Sequence, residues 1–101
     1  MATTTKTLFR GAATTTVGTV LYTVPASTTT VVTSIVITNT AGTSSTFTLG
    51  LAGTNLATTV TVGAYDTTVL DLKQVLVATN TITGGAAAVT VNFHIAGVEI
   101  V

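Results

Sequence analysis

Cysteine and tryptophan are absent from this chain of 101 residues, proline occurs once, and only three basic and three acidic side chains are present. Each shortage removes a class of function. Without cysteine there is no disulfide framework and no thiolate metal site. Lys6, Arg10 and Lys73 are too few to build the basic surface that displaces counterions from nucleic acid. Coiled coils and charged disordered tails need charge that the chain lacks. No apolar run approaches the ~20 residues that span a bilayer as a helix, so neither nucleic acid nor membrane is an expected partner. Met1 to Arg10 has no apolar segment of roughly 7–15 residues behind its basic residues, and so does not read as a secretory signal. None of the asparagines at 39, 55, 80 and 92 opens an Asn-x-Ser/Thr acceptor. The expectation is a protein made in the cytoplasm without a signal-peptide route.

What fills the chain instead is threonine, 28 residues of it, with 15 valines and 5 isoleucines, so that 48 residues are β-branched. Such side chains lose χ1 freedom in a helix and pack well on a pleated surface. A single domain over residues 1–101 buries roughly 65% of its unfolded surface. Large anchors are few: Phe9, Tyr22, Phe47, Tyr65 and Phe93 are the aromatic residues. A thin two-layer core suits that supply.

The alternation points to strands. From Ser45 to Leu51 the odd positions Phe47, Leu49 and Leu51 are apolar and Thr46 and Thr48 polar, the period of a half-buried strand. Leu56, Val60 and Val62 are expected on one face, with Ala57, Thr59 and Thr61 opposite. Thr68, Leu70 and Leu72 form an inward set, with Asp71 and Lys73 outward and near enough to pair weakly. Val89, Val91, Phe93 and Ile95 alternate with Thr90, Asn92 and His94. After Gly97 the apolar positions become Val98 and Ile100, so Gly97 reads as a bulge or bend and Glu99 as pointing away. Thr30 to Thr38 is apolar on both faces, with Val31, Ile35 and Ile37 on one and Val32 and Val36 on the other, which suits a central strand. Val17 to Val24 is a further strand ended by Pro25, and Thr5 to Arg10 an edge strand or arm. Residues 1–7 are the candidate arm.

Turn residues fall between these runs, at Pro25-Ala26-Ser27, Ala41-Gly42-Thr43, Ala52-Gly53-Thr54, Gly63-Ala64-Tyr65-Asp66 and Gly84-Gly85. Gln74 to Thr79 reads as a turn of helix or a loop crossing between sheets. The spacing predicts an all-β fold, an antiparallel β-sandwich of jelly-roll-like form with about eight strands.

Chemistry is sparse. One histidine and three carboxylates leave His94 with Asp66 or Asp71 as the sole conceivable acid–base set, and His94 sits on the polar face of a strand. Asp66 and Asp71 fall on opposite faces of an extended strand, and Asp66 reads better as a turn starter. Neither catalytic nor metal residues nor a cofactor are expected. The Thr-x-Thr triplets at 14, 28, 38, 46, 59 and 81 would make an ice-binding array only on a fixed repeat. Their starts are separated by 14, 10, 8, 13 and 22 residues, so the threonines are strand-favouring polar residues instead. Tyr65, beside Gly63 and Asp66, is the aromatic residue placed to offer a loop platform to a glycan. Edge strands are normally guarded by charge, and a net charge of zero favours association. Self-association follows as an expectation.

Four segments carry a resemblance. Thr19-Val20-Leu21-Tyr22-Thr23-Val24-Pro25-Ala26 is followed by Thr28-Thr29-Thr30-Val31-Val32-Thr33-Ser34-Ile35-Val36-Ile37-Thr38-Asn39-Thr40, then by a Thr-Phe-Thr-Leu strand, and the chain closes near Gly97-Val98-Glu99. Over roughly residues 6–101 it resembles the small virion structural proteins of tailed bacteriophages, whether decoration, head-fibre or tail-associated, and particularly those of cyanobacterial phages. Where such proteins often open the penultimate strand with Gly-Asp, this chain has Thr79-Asn80-Thr81-Ile82. The resemblance implies a β-sandwich on the outer surface of a virion, with no catalytic residues to carry over. Its partners would be copies of itself, as a homo-oligomer such as a trimer, and phage capsid or neck and tail proteins. The expected function is capsid decoration, or cement. The alternative is a neck or tail appendage that grips host glycans, with Tyr65 and Asp66 as contacts.

Overall fold

The density of β-branched residues is realised as strands throughout, and the residues described, Ala2 to Val101, contain no helix. The computed structural model has eight strands: β1 (Thr3–Ala12), β2 (Val20–Thr23), β3 (Thr29–Asn39), β4 (Ser45–Leu51), β5 (Thr54–Val62), β6 (Thr67–Leu76), β7 (Thr81–Ala86) and β8 (Val91–Ile100). They form two four-stranded antiparallel sheets, ordered β1-β8-β3-β6 and β2-β7-β4-β5. That interleaving is the jelly-roll arrangement of two Greek keys. Of the candidate arm, residues 1–7, Thr3 to Thr7 are the first half of β1 and pair with β8 from Ile100 to Ala96. Met1 lies outside the described residues.

The core is what the alternation supplies from each sheet. Phe47, Leu49 and Leu51 of β4 and Val91, Phe93 and Ile95 of β8 are all buried. Phe47 and Phe93 come from opposite sheets and meet edge to face, with centroids 6.3 Å apart and planes at 73°. This is the geometry that places one ring's positive edge on the other's negative face. Leu70 and Leu72 pack at the margin of the core, as their phase requires.

Several expectations are corrected by backbone geometry that alternation does not reveal. In β3, Val32 and not Val31 shares the inner face with Ile35 and Ile37, because the ladder to β8 slips between Val32 and Ser34. In β5, Leu56 and Val60 are exposed while Ala57 packs against the core. There the ladder slips between Phe47 and Leu49, and Thr59 takes a positive φ of 49° with its N–H donating to the Thr48 hydroxyl at 3.0 Å. Gly84 and Gly85 lie inside β7 instead of in a turn; a Cβ on Gly85 would come within 2.5 Å of the Thr16 carbonyl oxygen, so the β1–β2 loop lies on that strand. Gln74 to Leu76 continue β6 without a helical turn.

The hairpin joining β4 to β5 closes in two residues, Ala52 and Gly53, both with positive φ. That is the turn geometry matching strand twist. Val89, expected inside the last strand, is exposed in the turn before it.

Candidate functional site

Asn39 ends β3 in phase with Ile35 and Ile37, so the pleat carries an amide into the interior, where it is 1% exposed. A buried amide without partners costs about 1–3 kcal/mol, and here every valence is used. Its Nδ2 donates to the carbonyls of Thr43 at 2.7 Å and Gly63 at 3.2 Å. Its Oδ1 accepts from the Ala41 N–H at 3.1 Å and the Thr90 hydroxyl at 3.2 Å. One side chain therefore ties together the β3–β4, β5–β6 and β7–β8 loops.

Tyr65 stands on this platform. Its N–H donates to the Ala41 carbonyl at 3.0 Å, its φ is 54°, and it is 76% exposed. Its hydroxyl lies 3.2 Å from where a Cβ on Gly42 would sit, so the ring rests against the β3–β4 loop. Asp66 is beside it, with Oδ1 accepting from the Thr67 N–H at 2.8 Å and its own N–H donating to the Gly63 carbonyl at 3.1 Å. The side-chain oxygen thus shapes the turn, as its position in the sequence suggests. The pair read from the sequence is together, as one exposed aromatic face and one carboxylate on a rigid loop.

The His94 set is not assembled. His94 is exposed on β8, paired across to Arg10 and Val36. Asp71 is exposed on β6, with β3 lying between the two strands. Two strand spacings amount to about 9–10 Å, well beyond a hydrogen bond. Asp66 is in the loop cluster. Among the described residues no three histidine or carboxylate groups are grouped as metal ligands.

The opposite end holds a polar cluster that the sequence reading missed. β8 passes Gly97 without changing phase, so Glu99 faces inward with Ile95 and Gly97 and its side chain is 13% exposed. The expectation that Glu99 points away is corrected. Tyr22 of β2, in the other sheet, donates its hydroxyl proton to Glu99. With that proton committed, Thr30 donates to the Tyr22 oxygen across 3.0 Å. Lys6 of β1 closes the group with an ion pair to Glu99 at 3.3 Å. This clasp joins the two sheets where the core runs out. The available signal was the phase itself: carried straight through Gly97, the alternation places Glu99 inside. Asp71 and Lys73, expected to pair with each other, do not.

The clasp gives stability a pH dependence. The Tyr22 hydrogen bond, and then Lys6, hold the Glu99 carboxyl below the usual range. Burial, and then Glu99, push the Tyr22 phenol up. A depressed carboxyl contributes stability above its unfolded value near 4.3 that is lost as pH falls through its folded value. A raised phenol contributes stability below about 10 that is lost as pH rises through its folded value. The urea midpoint should therefore hold from about pH 5 to about pH 9 and fall on both sides. Glu99→Gln should flatten the acid limb, and Tyr22→Phe the alkaline limb together with much of the acid limb, since the Tyr22 hydroxyl is the first cause of the lowered Glu99 carboxyl. Limbs unchanged by both substitutions would show that the clasp does not form.

The remaining surface offers little chemistry. A recess of about 430 Å³ on the outer face of the first sheet is lined by Thr5, Thr7, Thr33, Ala96 and Val98, with Lys6 at its margin. No protein-family model matches the chain, and no curated protein matches it.

Proposed function

We propose that the chain is a non-enzymatic structural subunit of a virus particle, and that it acts as a decoration or cement protein on the outer surface of a tailed-phage capsid. The observation that carries this reading is the outer face of β1-β8-β3-β6. Paired strands present Val31 beside Val75 and Val98, and Val36 beside Val69. Val69 and Val75 are more than three-fifths exposed, at 63% and 62%. Thr5, Thr7, Ser34 and Ala96 extend the same face between them. Arg10, His94, Asp71 and Lys73 also lie on this face, but most of it is methyls and hydroxyls, which suits burial against a neighbouring subunit better than a free surface. The resemblance of its segments to those of virion structural proteins points the same way, and the jelly roll is a recurrent capsid fold, which is an argument by analogy.

A bridging role needs no catalysis. A subunit laid across neighbouring capsid proteins strengthens the shell by adding contact area that must be broken before they separate. The exposed Tyr65 on its Asn39-braced loops supports the second reading, a neck or tail appendage whose loop end contacts host glycans, since aromatic faces stack on sugars.

Mass spectrometry of gradient-purified particles of the virus that encodes the chain tests the proposal. The expected result is the protein in many copies per particle, with immunogold on the heads. Label confined to tails selects the appendage reading, and absence from the particles overturns both.

A further inference from the structure

The jelly roll leaves four strand edges open, and they are not equivalent. β2 is four residues long. β5 is interrupted by the slip near Leu49 and the positive φ of Thr59. β1 carries Lys6 and Arg10, so a second β1 would bring like charges together, which is how natural edges repel their copies. β6 differs, because it carries one charge of each sign, Asp71 and Lys73, two residues apart and both exposed.

We propose that two copies of the chain pair antiparallel through β6, about a twofold axis at Leu72. The order of side chains on its outer face is Val69, Asp71, Lys73, Val75. About that axis Asp71 falls opposite the second copy's Lys73, and Lys73 opposite its Asp71. Val69 falls opposite Val75, and Val75 opposite Val69. The strip is its own complement in charge and in shape, which is what an isologous interface requires. Opposite charges facing across an antiparallel pair stabilise it, and like charges destabilise it. Among the described residues of one chain neither charge is in an ion pair, and both valines are largely bare. Pairing meets all four needs with one register. A shift by two residues would set Asp71 against Asp71 or Lys73 against Lys73, so the charges also select the register.

The ladder from β6 to β3 slips between Gln74 and Asp71, so the extra residue lies at the axis and the two flanks of β6 form the new ladder. The result is one continuous sheet of eight strands with the outer valine face running across both copies. This inference rests on the assembly reading only in taking association to be the purpose of that face.

Sedimentation velocity on the full chain tests it. Wild type is expected to dimerise with concentration. Asp71→Lys alone, or Lys73→Asp alone, replaces two attractive pairs with two repulsive ones and should weaken the dimer about tenfold or more. The double variant Asp71→Lys, Lys73→Asp restores complementarity and should restore the dimer. An equimolar mixture of the two single variants should form a heterodimer. Both sites are exposed, so thermal melts should show all variants folded. If the single variants associate as wild type does, β6 pairing is overturned while association itself stands. If wild type stays monomeric, the pairing is overturned, and the particle measurement above decides the assembly reading separately.

Discussion

Phe93→Ala should lower the stability of the chain by about 3–5 kcal/mol, read as a fall in the urea midpoint at constant slope. The side chain is fully buried and meets Phe47 from the facing sheet at 6.3 Å. The core around it is built mostly of valine, leucine and isoleucine, and Tyr65 is spent on a loop. Truncation removes a transfer contribution and leaves a cavity that two stiff sheets cannot close. It also removes the one aromatic pair that locks β4 against β8. A domain of this size has about 5–15 kcal/mol to lose, so the variant should be close to unfolding. Phe93→Leu keeps most of the volume and should cost less than about 1.5 kcal/mol. If Phe93→Ala costs no more than the exposed Tyr65→Ala, the packing of the two sheets described above is wrong.

The strands and most turns were legible because β-branched residues and period-two alternation leave no competing element. Ser45 to Leu51 shows this plainly, since Phe47, Leu49 and Leu51 all reach the core. The two-sided apolar pattern of Thr30 to Thr38 correctly placed β3 between two neighbours. What failed was phase. One extra residue in a strand reverses every side chain beyond it, and threonine carries no mark of such a slip. Val31 and Val32 exchanged faces for this reason, and so did Leu56 and Ala57. The converse error occurred at Gly97, where a phase change was read into β8 although the irregularities lie in its neighbours β1 and β3. That error hid Glu99 and with it the clasp to Tyr22. The turn at Tyr65 and Asp66 was readable from its glycine and aspartate. Asn39 was not, because its role comes from three loops distant in sequence.

The β6 edge shows how few charges can still direct assembly. With six charged residues in all, Lys6 neutralises Glu99 inside the fold and Asp66 shapes a turn. Arg10 sits on the β1 edge, while Asp71 and Lys73 share the middle of β6. The interior is served by hydroxyls and amides, which leaves the few exposed charges free to discriminate one edge from another. A low-charge surface associates readily, and such placement decides where it does so.

Gly97→Ala should cost about 2–3 kcal/mol, the usual effect of forcing a methyl into filled space. Gly97 faces the inner side of β8 opposite Val32 and Lys6, beside the bulged segments of both neighbouring strands. A Cβ there would fall 2.5 Å from the Val31 carbonyl oxygen and 2.9 Å from Cδ1 of Leu8. The leucine could turn away, but the carbonyl cannot, because β3 is held on both sides by β8 and β6. Relief would require the slip between Val32 and Ser34 to move, and that slip sets which residues of β3 reach the core. The substitution should therefore loosen the Glu99 clasp two residues on and disturb the outer valine face together. Gly18→Ala provides the control, since a Cβ at Gly18 meets nothing within 4 Å. It should be neutral or stabilise by up to about 1 kcal/mol through the unfolded chain. A Gly97→Ala protein as stable as the Gly18→Ala protein would mean that β3 moves freely against β8. The phase of the central strand, and the faces that follow from it, would then have to be set elsewhere.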